Sequence, residues 1–228
     1  MGSQPRSEEE QSRPPYAVLA ALPQELSVLS ERRVGAERIQ GLEILELDLG
    51  AARVVACVGG VGKVNAAHAT GVLLSRGGER GLFVVGVCGG LRRHLAPGTL
   101  VHCERAVQAD LALREEREIQ SDGELSRVWR EVAQGRSGWF LTADRPVLSL
   151  WRRLRLARAF QGDCVADMET AAAARVARRA GVPWAALRAV TDGATEGGIL
   201  EFRRNFALQA GRAAATLPGL LERLEAGR

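Results

Sequence analysis

Residues 163–192, DCVADMETAAAARVARRAGVPWAALRAVTD, constrain the fold more than any other stretch of the chain. Asp167, Met168 and Glu169 open an alanine-rich segment that reads as a helix, and Gly181, Val182 and Pro183 end it. An apolar run from Trp184 to Val190 follows and stops at Thr191 and Asp192. The small side chains of Ala171 to Ala174 predict close packing around Glu169. A strand that emerges into Arg188, Thr191 and Asp192 puts charge at its carboxyl end, where open α/β sheets bind ligands. Two carboxylates at the two ends of one buried unit suit cleavage of a bond that passes through a cation.

The rest of the chain repeats this strand-and-helix alternation. Tyr16–Ala21, Leu42–Leu49, Ala52–Val58, Gly81–Val87 and Thr99–Val107 read as strands, the continuous apolar ones as fully buried. Helices are predicted over Gln24–Arg33 behind Pro23, over Lys63–Ser75 and over Pro146–Phe160. Another is predicted over Leu200–Leu224, interrupted near Pro218. Asp110–Gly135 is charged and weakly patterned, which suggests rim excursions with a short helix at Leu125–Val132; Trp139–Thr142 and Asp163–Ala166 read as short strands. The expected architecture is a single α/β domain over 16–226, three-layered, with a central mixed, largely parallel twisted sheet flanked by helices. Residues 1–15 read as a polar, disordered lead-in without the apolar core of a signal peptide.

Bulk composition narrows the function by exclusion. The chain has 228 residues, 46% of them hydrophobic, and a formal charge of +4. Basic and acidic residues are interspersed and no basic block is interleaved with aromatics, so nucleic acid is a poor partner. Cys57, Cys88, Cys103 and Cys164 lack C-x-x-C spacing and read as buried thiols of a reducing compartment. His68, His94 and His102 lack metal-ligand spacing, so neither a metal nor a cofactor is expected. No run reaches membrane-spanning length, and the expected location is the cytoplasm. Lys63 is the only lysine in an arginine-rich chain, a mildly informative exception.

Two glycine clusters follow buried strands. G-G-V-G-K at 59–63 has the wrong glycine spacing for a phosphate loop, and Val64 stands where Ser or Thr is required. G-V-C-G-G-L at 86–91 lets a ligand approach the backbone closely. On local grounds Glu25 reads as a first-turn glutamate facing a helix dipole, and Asp192 as a cap; Glu169 is harder to reduce to a local role.

Taken together, A-L-P-Q-E-L (21–26), G-V-G-K-V-N-A-A (60–67), G-V-C-G-G-L (86–91), P-G-T-L-V (97–101) with Asp110, L-T-A-D (141–144), D-M-E-T-A-A (167–172) and R-A-V-T-D (188–192) resemble the nucleoside phosphorylase and nucleosidase superfamily. They run in that superfamily's order through nearly all of 16–192. Within it the chain is most similar to the methylthioadenosine/S-adenosylhomocysteine nucleosidases and their relatives, including futalosine hydrolases and hopanoid-associated phosphorylases.

The resemblance implies roles. Glu25 would activate the attacking water and Asp192 would protonate N7 of the departing purine. Glu169 would bind the ribose 2′- and 3′-hydroxyls, with Met168 against the sugar and Arg188 holding Glu169 or the nucleophile. Backbone groups at Val147 would read the base, beside Val87 and Gly89. The substrate would be a purine nucleoside with water or phosphate as co-substrate, and dimers are usual in the family, with the helix after Gly62 as the candidate interface. Two positions depart from the pattern. Val87 replaces a serine, and Pro146 falls where the nucleosidases carry an aromatic against adenine. No arginine follows Glu25 before Arg32 and Arg33, which favours hydrolysis over phosphorolysis. Phosphorolysis of an adenosyl-lipid such as adenosylhopane, and a non-catalytic nucleoside-binding protein, remain the alternatives.

Overall fold

The computed structural model describes residues 13–113 and 117–227; the lead-in expected at 1–15 falls largely outside them. Ten strands form one sheet: β1 (Tyr16–Ala20), β2 (Arg33–Ile39), β3 (Leu42–Asp48), β4 (Arg53–Val58), β5 (Leu82–Gly90), β6 (Leu100–Gln108), β7 (Glu118–Gln120), β8 (Arg136–Thr142), β9 (Asp163–Asp167) and β10 (Trp184–Asp192). The parallel pairings β4–β1, β1–β5 and β5–β10 make its centre. The apolar strands read from the sequence lie there, buried on both faces. Antiparallel pairing extends it through β3 and β2 on one side and through β6 on the other. β6, β8, β9 and β5 then pair in turn, so that with β10 the ladder closes into a ring.

Helices cover both faces. Alternation along β10 sorts the core: Trp184, Ala186 and Val190 pack with residues of α2 (Lys63–Ser75) and α5 (Thr170–Arg179). Ala185 and Leu187 pack on the other face with α3 (Gly123–Val132) and α7 (Leu217–Ala226). On that second face Phe83 lies between Tyr16 and Trp129, with centroids 5.5 and 5.3 Å away.

Several boundaries differ from the sequence expectation. The helix expected over Gln24–Arg33 is a four-residue α1 (Pro23–Leu26) followed by a 3₁₀ turn, Ser27–Arg32, and the chain then enters β2. β2 is an edge strand without a buried residue, so it carries no apolar signature. It turns into β3 through Gln40 and Gly41, both at positive φ, as a tight two-residue hairpin requires. The basic helix expected from Pro146 begins only at Leu150, as α4 (Leu150–Ala159). The rim region is more ordered than expected, with β7 and then α3, whose Asp122 cap accepts from Leu125 N at 2.9 Å. The C-terminal helix breaks before Pro218 rather than at it. α6 (Gly198–Gln209) ends, a 3₁₀ turn follows at Ala214–Thr216, and Pro218 sits in the first turn of α7, where its missing N–H costs nothing.

Candidate active site

The carboxyl ends of β1, β5, β9 and β10 converge on a cavity of about 310 Å³. Glu25, Val87, Gly89, Val147, Met168, Glu169, Arg188 and Asp192, all singled out from the sequence, line it together.

Glu25 is carried by α1, directly behind β1, and is buried. Its Oε2 accepts hydrogen bonds from Ala21 N (2.8 Å) and Leu22 N (2.9 Å), and its Oε1 accepts one from Val87 N (2.9 Å). A carboxylate offers about four acceptor positions, so one, on Oε1, is left for a further donor. Gly86 makes this approach feasible. It has φ +147, and a Cβ there would collide with Glu25 Oε1. Burial raises the Glu25 pKa, against the opposing pull of Arg188 and the three backbone donors.

Glu169 is the cap residue before α5, one position earlier than its expected place inside the first turn. Its Oε1 accepts from Gly62 N (3.0 Å), at the start of α2, and its Oε2 from Arg188 Nη2 (3.0 Å). Two acceptor positions stay open. Burial raises its pKa, with Arg188 opposing.

Arg188 is buried in mid-β10, and each of its three nitrogens has a protein partner. Nε lies 3.2 Å from Thr170 Oγ1 and 3.1 Å from Asp167 Oδ2, Nη1 donates to Val87 O (2.8 Å) and Nη2 to Glu169. Asp167 also accepts from Thr170 N (2.9 Å) and from the hydroxyls of Thr142 and Thr170. The guanidinium is therefore a fixed positive strut under Glu169 rather than a free anion receptor.

Asp192 ends β10 beyond a register shift between Val190 and Asp192, an irregularity that re-aims the strand end. Its Oδ1 accepts from Ala194 N (2.8 Å), and its Oδ2 lies 2.9 Å from Thr191 Oγ1, which is also 3.2 Å from the Cys88 carbonyl oxygen. One hydroxyl proton cannot serve both acceptors. When it goes to Cys88 O, the second contact persists only with a proton on Asp192. Burial raises the Asp192 pKa, the two hydrogen bonds lower it, and the charge of Glu201 adds a smaller upward push. Gly89 and Gly198 leave room here; a Cβ at either would stand 3.1 Å from Asp192 Oδ1.

Three features escaped the sequence reading. Phe202 of α6 lines the cavity and stacks on Phe206 at 4.9 Å, supplying an aromatic that Pro146 does not. No local pattern announced it, because only the packing of α6 against β10 turns Phe202 to the cavity. Asp167 is the second anion on Arg188, and its place beside Glu169 in D-M-E was the available signal. Lys63 pairs with Asp110 (2.7 Å) and Asp144 (3.3 Å), tying the start of α2 to the loop that carries Val147. Its being the only lysine was the signal there.

Among the described residues no group of three or more His, Cys, Asp or Glu is arranged to hold a metal, and no helix is long and apolar enough to cross a membrane. A larger, open groove of about 710 Å³ lies elsewhere, around Arg105, Glu118, Asp122, Arg178 and Trp184.

The fold and cavity define an α/β protein with an acidic cleft at its strand ends. Residues 15–224 match the profile of the Phosphorylase superfamily, and the chain belongs to that family. It is 32% identical over 254 residues to the 5′-methylthioadenosine/S-adenosylhomocysteine nucleosidase of Treponema pallidum, across 92% of this chain and 94% of that one. Identity to the Mycobacterium bovis protein of the same name is 29% over 249 residues, across 92% and 97%. Among solved structures, the S-adenosylhomocysteine nucleosidase of Streptococcus pyogenes in complex with 5-methylthiotubericidin superposes with a TM-score of 0.87 at 23% identity, covering 93% of this chain and 98% of that one. The futalosine hydrolase of Helicobacter pylori gives 0.85 at 22% identity, covering 91% and 97%.

Proposed function

We propose that this chain is a nucleosidase that hydrolyses the N-glycosidic bond of a 5′-substituted purine nucleoside, releasing the purine and the sugar. The observation that carries the reading is the convergence of Glu25, Glu169 and Asp192 on one cavity with Arg188 locked beneath them. Breaking a ribosyl C–N bond builds positive charge on the sugar, and carboxylates held around it stabilise that state more than the bound substrate.

In this proposal the two open acceptor positions of Glu169 take the 2′- and 3′-hydroxyls, with Met168 against the ring. The open position on Glu25 Oε1 takes a water proton, so Glu25 acts as the base. Asp192, whose pKa burial raises, delivers a proton to N7 of the purine, and backbone at Gly89 and Val147 borders the base. Val87 contributes its backbone rather than a hydroxyl, fixing Glu25 through its N–H and Arg188 through its carbonyl.

Water is favoured over phosphate because no arginine follows Glu25 before Arg32 and Arg33, which are exposed and do not line the cavity, and because Arg188 is already held by Glu169, Asp167 and the Val87 carbonyl; Arg145 is the other arginine in the lining. The relatives' names point to methylthioadenosine, adenosylhomocysteine and futalosine as first substrates to try. Leu148, Ile199 and Phe202 supply apolar lining, which favours a second reading in which the 5′ substituent is a lipid, as in adenosylhopane. Within the proposal the enzyme is cytoplasmic and cofactor-free and pairs as a homodimer through α2, where Val64 is exposed.

The test is a panel of purine nucleosides in phosphate-free buffer, with release of free base measured. Turnover of a 5′-substituted member is the expected result. Turnover that begins only when phosphate is added would select the phosphorylase, and tight binding without base release the non-catalytic alternative.

A further inference from the structure

The N-terminal ends of α4 and α6 meet beside the cavity. Leu150 N donates to Glu196 Oε1 at 3.0 Å, and Leu148 and Ile199 both line the opening. From this junction each helix presents an exposed stripe of matching composition. On α4 the stripe is Trp151, Leu154, Arg155 and Arg158, at i, i+3, i+4 and i+7. On α6 it is Leu200, Arg203, Arg204, Ala207 and Leu208, at i, i+3, i+4, i+7 and i+8. Trp151 is 80% exposed, Leu200 63% and Leu208 74%.

Neither stripe contains an acidic residue, and α4 carries none at all. The two nearby carboxylates, Glu196 and Glu201, are bonded to Leu150 N and Gly193 N. Single exposed leucines are ordinary on a protein surface, but a bare tryptophan and leucines repeated among arginines on two adjoining helices are not. Apolar side chains that enter an acyl boundary, beside arginines that meet phosphate, are what an interfacial helix needs. The arginines select the anionic lipid surface over a neutral one.

We propose that the α4–α6 face docks peripherally on an anionic phospholipid bilayer, with the mouth of the cavity turned toward the lipid. This surface is distinct from α2, and the inference does not depend on which bond the cavity cleaves.

The test is co-sedimentation of the full chain with phosphatidylcholine vesicles with and without phosphatidylglycerol, together with tryptophan emission. Binding to the anionic vesicles, a blue shift of emission, and weakening in high salt are expected. The double variant W151S/L200S should bind about tenfold or more weakly, since each buried apolar side chain contributes on that scale. The exposed-site variant R155Q/R158Q should lose the preference for phosphatidylglycerol. Turnover of a small nucleoside by both variants should match the parent, which shows that they fold. Absence of binding to anionic vesicles at low salt would overturn the inference. Equal binding by parent and variants would overturn it too, as would a parent that self-associates through this face, with W151S/L200S monomeric and neither form on vesicles.

Discussion

The two ends of the cavity are built differently. At the end where the proposal places the sugar, Glu169, Arg188, Asp167, Thr142 and Thr170 come from regular elements or their caps, all are buried, and each charged group is held by partners distant in sequence. At the end where the proposal places the acid, the Asp192 carboxylate has, among the described residues, only its neighbours Thr191 and Ala194 as hydrogen-bond partners, and Ala194 sits at φ +51, a conformation non-glycine residues seldom adopt. The loop beyond it is tied back through Glu196 and Glu201, both exposed. One end is over-determined by long-range contacts. The other keeps its carboxylate on a locally held strand end, where small displacements are cheap.

That contrast predicts that substitutions at the two ends fail in different ways. The largest effect is expected from D192N. It should lower kcat about 10²–10⁴-fold, the usual contribution of a positioned acid, while the urea midpoint is not lowered, because the amide removes a buried ionisable group. Unchanged kcat would remove Asp192 from the mechanism. R188M should do the reverse in kind, destabilising the fold by about 3–5 kcal/mol in denaturant titration by stranding Asp167 and Glu169 without their cation. A loss below about 1 kcal/mol would mean that these ion pairs behave as surface pairs do. G198A, whose Cβ would press on Asp192 Oδ1 from 3.1 Å, should lower kcat about ten- to hundredfold through misplacement and leave stability almost untouched. Parent-like kcat would show that the acid end tolerates more crowding than its geometry implies.

The smallest effect is in the pH dependence of stability, where the cavity carboxylates of both ends contrast with carboxylates outside it. Glu25, Glu169 and Asp192 all have raised pKa values in the native state, mainly from burial, so the folded chain binds more protons there than the unfolded one. Their contribution to stability is full below the ordinary carboxylate range and is lost as pH climbs through the raised values. Asp110 and Asp163, held low by Lys63 and by Arg136 with His94, act oppositely and lose their contribution as pH falls. Urea midpoints measured across pH should therefore decline less steeply on the alkaline side in D192N than in the parent. An identical slope would contradict the raised Asp192 pKa.

The same contrast governs what could be read from the sequence. The central strands were legible because burial on both faces demands unbroken apolar runs, as in Leu82–Gly90 and Trp184–Asp192. The Glu169–Arg188 pair was legible because both residues lie in a single helix-and-strand unit. β2 was not, since an edge strand without a buried residue has no periodicity to show. Phe202 was not, because only the packing of α6 against β10 brings it to the cavity. The late start of α4 was hidden by Pro146 to Ser149, which are not helical; Pro146, Val147 and Leu148 line the cavity instead of opening the basic helix.

The central claim is that water, activated at Glu25, captures a sugar cation while Asp192 releases the base. Single-turnover cleavage of 5′-methylthioadenosine in ¹⁸O-water, with phosphate present, tests it most directly. The account predicts adenine together with a free sugar carrying ¹⁸O at its anomeric carbon. An unlabelled sugar 1-phosphate would contradict it.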